Sequence, residues 1–482
     1  MADINLGVGG ANSAVAEGYT IDNSFVQEYN STRTVEVIYG GFGGNPPTTT
    51  KGTISFWFKW GALNGGAATW KLLNVYNSQV SIMPEGGTYD SSIYVAVYNE
   101  AVLKLVSTAK FRDTSAWYHI CAVFDTTLST ASDRVKIYIN GVRITDWSTA
   151  NYPSQNADLL LVKENTKHFA GHNVNAGKPY GYYADMYYIH NQAKDVTDFG
   201  EFDADTGIWK PIEYTGTFGS YGYHWDFSNA SNLAEDQSGN DASTGQMTCS
   251  AFNVTSSMQS TDTPTNNFAT NNPLAQNDMN SLHGATQWTH NNASDWESSI
   301  STIGVTRGKW YFEASMDSTG NMIGIIANNG ITDSLNCMDS YPGDRLNTQN
   351  AGIGYHGAGN VFQNDTFTSG MPTYGGGNII SCALDMDNGY VYFARNGSWI
   401  NSGDPTSGSS GTGGWAVYDT SDIQFFATAI YSTSDNIKCN WGGCTIYSIS
   451  SAETDANGYG TFEYAPPSGY YALCSKNLAE FG

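Results

Sequence analysis

Basic residues are scarce: 21 Lys and Arg stand against 45 Asp and Glu, a formal charge of −24 over 482 residues. A phosphate backbone is held by a cationic stripe, so this balance argues against nucleic acid as a partner. The surplus carboxylates serve solubility. A structural Ca²⁺ would need several converging oxygens, and no run of Asp has that spacing, so no cofactor is expected. Cysteine is sparse as well. Seven residues, an odd number, are scattered through the chain and do not make a disulfide framework. Cys121 and Cys382 read as small core residues, and Cys439 in CNWGGC shares the alternation of Ile437 and Trp441, which disfavours a bridge to Cys444. Such usage is expected of a chain made in a reducing cytoplasm. No stretch approaches the roughly 18 apolar residues of a membrane-crossing helix, so no membrane insertion is expected. The opening MADINLGVGGANSAV has neither the basic nor the apolar region of a secretory leader.

What is abundant is glycine (53) and tyrosine (31), set among short alternating apolar runs with few windows of helical spacing. GTISFWFKW places Ile54, Phe56, Phe58 and Trp60 on one face and Ser55, Trp57 and Lys59 on the other. AWYHICAVFD is a nearly continuous apolar strand of a sheet centre, and YGYHWDFS (221–228) is a late strand returning to the same domain. A second series runs from GKWYFEASMD through NIISCALDMD and IQFFATAIY to NIKCNWGG. The reading is all-β, with two antiparallel β-sandwiches. A Gly/Ala/Asn-rich docking arm spans 1–18, the first sandwich 19–228, a long irregular connector 229–300 and the second sandwich 301–482.

Both series contain the same hairpin, DRVKIYINGVRI (133–144) and GYVYFARNGSWI (389–400). Asn-Gly between alternating strands predicts a two-residue type I′ turn, which needs φ > 0 at both central positions. Asn140 and Asn396 are therefore expected to shape the fold and to bind nothing. Asp385 and Asp387 in DMDNG are read as turn formers rather than a metal loop, because the glycine and the terminal glutamate of an EF-hand are missing.

GTISFWFKW, AWYHICAVFDTT and DRVKIYINGVRI resemble the laminin-G/concanavalin-A-like jelly-roll sandwich. GKWYFEASM, AGIGYHG, ISCALDMDNGYVYFARNG and the late NWG resemble a SPRY domain. Their pairing, with the phrases FGEFDADTGIWKP, DQSGND, TDTPTNN and APPSGYYALCSKNLAE, is similar to a group of virion proteins of marine bacteriophages known as tail-fibre or structural proteins. The resemblance implies two jelly-roll-type sandwiches, concanavalin-like then SPRY-like, in a non-enzymatic virion protein. Its partners would be other tail or capsid proteins and a host-surface glycan or envelope protein. The fibre analogy implies a homo-oligomer, a trimer. A capsid decoration or head-fibre protein docked by the N-terminal arm is the alternative, and a polysaccharide depolymerase is the third.

The depolymerase reading needs two carboxylates roughly 5 Å apart in a retaining enzyme. Glu201, Asp203 and Asp205 in EFDAD are the candidates, but they sit in a loop-like phrase ending in Thr-Gly. His168 and His172 in HFAGH have helical spacing without helical context, and no nucleophile or phosphate-loop motif is present. Aromatic side chains beside Gly-rich loops remain as ligand platforms: Tyr341, Tyr374 and Trp415 first, because SPRY-like folds recognise through loops at one end, then Trp399, Trp147 and Tyr180.

Overall fold

In a computed structural model of the chain, the residues described are 18–27, 37–43, 49–61, 72–75, 80–84, 92–97, 102–159, 161–162, 167–170, 181–243, 247–276, 279–290, 296–328, 342, 352–363, 366–444 and 446–482. Two compact units result, one over Ala16–Thr265 and one that includes Asn266–Gly482. Nearly all their regular structure is antiparallel strand, as the alternation predicts.

The first unit has a sheet ordered Val142–Arg143, Val135–Ile139, Trp117–Asp125, Lys51–Trp60, Gly181–His190, Ser24–Gln27, Gln259–Ser260, with Tyr223–Trp225 added beside Gly181–His190. Its second sheet runs from Trp147–Asn151 through Leu103–Lys110, Ser92–Val97, Val80–Pro84, Leu73–Val75, Lys167–Ala170 and Val37–Phe42 to Met247–Phe252. Ile54, Phe56, Phe58 and Trp60 enter the core, where Leu73, Leu103 and Leu105 join them from the other sheet. The opposite face of Lys51–Trp60 is buried too. Trp57 lies against His119 at 4.9 Å between ring centroids, and the Trp209 ring stacks on His119 at 5.8 Å. Lys59 meets Asp262. A strand covered on both sides explains a run richer in aromatics than a half-exposed strand needs.

In the second unit one sheet is ordered Asn271–Gln276, Glu297–Ser301, Gln424–Ile430, Met322–Ala327, Gly352–His356, Asn360–Gln363, Thr366–Thr368. The other runs Met279–Leu282, Gln287–His290, Asn436–Asn440, Lys309–Met316, Asn378–Asp385, Tyr390–Arg395, Ser398–Trp399. Trp310, Phe312, Ala314 and Met316 point into the core between them, with Phe312 stacked on Trp441 at 4.5 Å. The outward Glu313 is fully buried by the segment that follows Trp441. One carboxylate oxygen accepts from the Tyr311 hydroxyl and Tyr464 N–H, both at 2.8 Å, and the other from the Tyr447 hydroxyl at 3.0 Å and Glu463 N–H at 2.9 Å. Burial pushes this carboxyl up, and the four donors oppose that.

The stretch 229–300 differs from the expected irregular connector. Met247–Phe252 extends the first unit's second sheet in register Met247↔Phe42, and Ser24 pairs Ser260. From Asn271 onward the strands belong to the second unit. These strands are short and rich in Asn, Ser and Thr. They are held by pairing to distant edges, which leaves no local periodicity to read. Of the expected arm, residues 1–17 lie outside the described residues.

Both Asn-Gly turns form as predicted and share one geometry: φ is 48° at Asn140 and Asn396 and 76° at Gly141 and Gly397. Each asparagine also caps the neighbouring strand. Asn140 Oδ1 accepts His119 N–H at 2.7 Å, and Asn396 Oδ1 accepts Ile379 N–H at 2.9 Å. Cys121, Cys249, Cys382, Cys439, Cys444 and Cys474 are buried free thiols.

Candidate functional site

Of the aromatic residues proposed from sequence, Tyr180 and Tyr341 lie outside the described residues. Tyr374 and Trp415 are corrected by their burial. Tyr374 is 2% exposed, with its hydroxyl 2.9 Å from the Asn321 carbonyl and 2.7 Å from that of Tyr355. Trp415 is 8% exposed and packs 5.6 Å from Phe393. The Gly-rich loops around them fold back onto the core, and an amphipathic ring in such a loop fills that space instead of facing water. Trp147 is half-buried at the start of an edge strand and packs on the first unit's core. Trp399 is half-buried against the cluster of Tyr311, Tyr392 and Phe462.

The candidates for chemistry resolve into structural roles. Asp203 Oδ1 accepts from the backbone N–H of Asp205 and Thr206, and its other oxygen lies 3.2 Å from Lys210 Nζ, which also sits 3.3 Å from Glu201. The turn hydrogen bonds hold the Asp203 carboxyl at about 2, ionised and engaged. His168 is buried between the Leu161 carbonyl at 2.5 Å and the Tyr223 hydroxyl at 3.3 Å, while His172 is outside the described residues. Asp385 binds Lys309 at 2.7 Å and Asn388 N–H at 2.9 Å, and Asp387 accepts Gly308 N–H at 2.8 Å. Both are turn formers, as read. Among the described residues no group of three or more His, Cys, Asp or Glu is placed to hold a metal.

One juxtaposition that the sequence did not suggest is Ser55 beside His119, Oγ to Nε2 2.8 Å. Its polarity is opposite to that of a nucleophile and its base. The Trp209 indole can only donate, and it donates to His119 Nδ1 at 3.0 Å, so the imidazole proton sits on Nε2 and points at Ser55. Burial pushes His119 down to about 3, so it stays neutral. This pair orders the sheet face; it does not activate the serine.

A second feature escaped the sequence reading. On the strand Gly352–His356, Ile353 and Tyr355 face the core, so His356 faces outward. The same alternation turns Phe362 out beside the inward Val361, and places Trp296 in phase with the outward Ile300. Ring centroids then follow one another from Tyr431 to Trp296 at 5.3 Å, to His356 at 5.6 Å, to Phe362 at 6.0 Å and to Phe367 at 5.4 Å. Tyr431 is 42% and Phe367 59% exposed, at the two ends. Successive ring planes are inclined by 56°, 66°, 90° and 44°. His356 Nδ1 accepts Ala358 N–H at 3.2 Å, which puts the ring proton on Nε2, and burial lowers the pKa of the ring. At the Tyr431 end, Asp435 is only 6% exposed; its Oδ1 takes the Ser434 hydroxyl at 3.3 Å. Gly320 packs closely there: a Cβ on it would lie 2.9 Å from Asp435 Oδ2, 3.4 Å from Ser318 Oγ and 3.7 Å from the Tyr431 Cβ. These rings come from strands far apart in sequence, and the one local signal is Phe362 running out of phase with Val361.

Residues 42–176 match the concanavalin A-like lectin/glucanases superfamily, and residues 309–408 match the SPRY domain family. The chain thus carries a concanavalin-like and a SPRY domain, both folds of a binding type. Among solved structures it is similar to the SPRY domain of human HERC1, at 16% identity over 37% of this chain and 99% of that one, TM-score 0.28. It is also similar to the TRIM65 PSpry domain, at 10% identity over 37% of this chain and 92% of that one, TM-score 0.26. A third is the stonustoxin structure, at 15% identity over 36% of this chain, TM-score 0.25; the match spans 27% of the stonustoxin chain.

Proposed function

We propose that this chain is a non-enzymatic bacteriophage virion protein, a tail fibre or equivalent adhesin that presents two β-sandwiches to host-surface glycans or envelope proteins. The observation that carries the reading is the pairing of two binding-type domains, each with its own core. The joining phrases from FGEFDADTGIWKP to APPSGYYALCSKNLAE add the likeness to virion proteins. Adhesion of this kind sums weak sites over many copies, which fits a homo-oligomer, a trimer by the fibre analogy. The place of action is then the virion. The reversed polarity at Ser55–His119 and the engaged carboxylates of Glu201 and Asp203 support binding without catalysis.

Three measurements test this. A cryo-EM map of the virion locates the chain at the tail; copies on every capsomer would replace the tail reading with capsid decoration. Purified chain blocks adsorption of the phage to its host, and absence of competition at saturating concentration counts against the adhesin. Reducing-sugar release from host polysaccharide that is lost on Glu201→Gln or Asp203→Asn would reinstate the depolymerase.

A further inference from the structure

We propose that Arg395, at the rim of the second unit's core, is the binding site for a single carboxylate carried by an otherwise uncharged glycan. The proposal rests on the adhesin reading and gives it a place and a charge. On the strand Tyr390–Arg395, Val391 and Phe393 enter the core, while Tyr390 and Tyr392 join the cluster on the opposite face, so Arg395 leaves the backbone on the core side. Its register partners on that face are Ile380, a core residue, and Ser398, exposed on the edge strand. Burial pushes the Tyr355 hydroxyl up to about 12 and the Arg395 charge opposes that, which sets the guanidinium within electrostatic reach of a core ring. The residue is half-buried, and its Nε is a buried donor whose hydrogen no group accepts. Among the described residues its guanidinium makes no hydrogen bond and no ion pair.

That is an exception among the described residues. Of the other half-buried arginines, Arg134 donates to the carbonyls of Leu128, Pro153 and Ser129, and Arg143 meets Asp133 at 3.0 Å. Lys59 has Asp262 and Lys309 has Asp385. A chain with 45 carboxylates to 21 cations has left this cation without one. A guanidinium at an apolar rim with no counterion destabilises the free chain, and an arriving anion removes that cost. The long stem lets the head turn toward the exposed Asn396–Ser398 turn, where the planar fork takes a carboxylate through two parallel hydrogen bonds. The Ser398 hydroxyl stands on the same face as a neutral donor for the sugar. One guanidinium matches one negative charge. A polymer charged on every residue would meet the field of a chain at −24, whereas a sparse charge on a neutral polymer is met only by what lies within about 8–10 Å.

The test is native affinity electrophoresis of the full chain through gels carrying dextran, sparsely substituted carboxymethyl-dextran or alginate. The natural chain is expected to be retarded by carboxymethyl-dextran, less by alginate and not by dextran, and free glucuronate in the gel releases it. Arg395→Gln weakens the retardation roughly tenfold or more, and Arg395→Lys restores part of it, because an ammonium keeps the charge without the fork. Ser398→Ala weakens it severalfold. Thermal midpoints without ligand tell a ligand site from a structural one. Arg395→Gln is expected to match or exceed the natural chain, because it removes an unpaired charge. A lowered midpoint, or a variant that fails to fold, makes Arg395 a structural residue and overturns the site. Equal retardation of the natural chain and Arg395→Gln also overturns it and leaves the adhesin reading standing. Equal release by inorganic phosphate overturns the carboxylate assignment, and stronger retardation by alginate overturns the preference for sparse charge. No retardation in any gel, with adsorption still blocked by the purified chain, overturns the glycan site in favour of a protein receptor. Failure of both measurements removes the adhesin reading with it.

Discussion

The Lys59 ammonium and the Asp262 carboxylate meet at 2.7 Å, with side chains 0% and 1% exposed. The Trp117 indole donates to the other Asp262 oxygen at 3.1 Å, and the Ser24 hydroxyl to the Asp262 carbonyl at 2.6 Å. Asp262 belongs to TDTPTNN, so this pair fastens that phrase to the first sandwich. Removing one partner strands the other charge away from water. Asp262→Ala is expected to cost about 3–5 kcal/mol in chemical denaturation. The double replacement Lys59→Met, Asp262→Leu should recover most of that loss, and a double variant as weak as the single one would mean that the ion pair is not what matters.

Acid should loosen the first unit through its histidines. His119, pushed down to about 3, and His168, pushed down to about 4, are neutral in the fold because burial penalises their charge. The unfolded chain takes up a proton at each near pH 6.5, and the folded chain does not. Their contribution is complete above about pH 6.5 and is lost as pH falls toward the folded values, by about 1.4 kcal/mol per pH unit for each histidine. Urea midpoints between pH 7.5 and pH 4.5 measure the slope. His119→Gln should flatten it by one histidine's share, and an unchanged slope would refute the assignment.

Asn140→Ala and Asn396→Ala should each destabilise their unit by about 2 kcal/mol, combining a left-handed backbone forced on alanine with a lost strand cap. Asn396→Gly keeps the backbone relaxed and should cost about 1 kcal/mol. Neither position should alter polysaccharide retardation. A loss of binding in a folded Asn396→Gly chain would give this turn a role in recognition.

Tyr374→Phe removes only the hydroxyl that satisfies the Asn321 and Tyr355 carbonyls. It should cost about 1–3 kcal/mol in stability and leave binding intact. Unchanged stability with weakened binding would restore Tyr374 as a ligand residue.

Much of the fold was legible because its signals are local. The alternation of Ile54, Phe56, Phe58 and Trp60, and the two Asn-Gly turns, depend on neighbours one or two residues away. The strand Met247–Phe252 was not legible, because it exists by pairing with Val37–Phe42, about two hundred residues earlier. The same limit hid the candidate site. Trp296, Tyr431 and His356 meet only once four strands are stacked side by side, whereas Tyr374 and Trp415 look exposed in a Gly-rich sequence and are drawn inward by Tyr355 and Phe393.

The second unit begins where it ends. Asn267 N–H donates to the Ser475 hydroxyl at 2.9 Å, Ser475 N–H to the Asn267 carbonyl at 2.8 Å and Ala269 N–H to the Leu473 carbonyl at 2.9 Å. A tensile load applied through Asn266 and through the helix Ser475–Phe481 therefore reaches an antiparallel seam end-on, and opens it one hydrogen bond at a time instead of shearing all of them together. The sandwich behind that seam is an insertable module: its entry and exit lie side by side, so a chain can gain or lose it without displacing what flanks it.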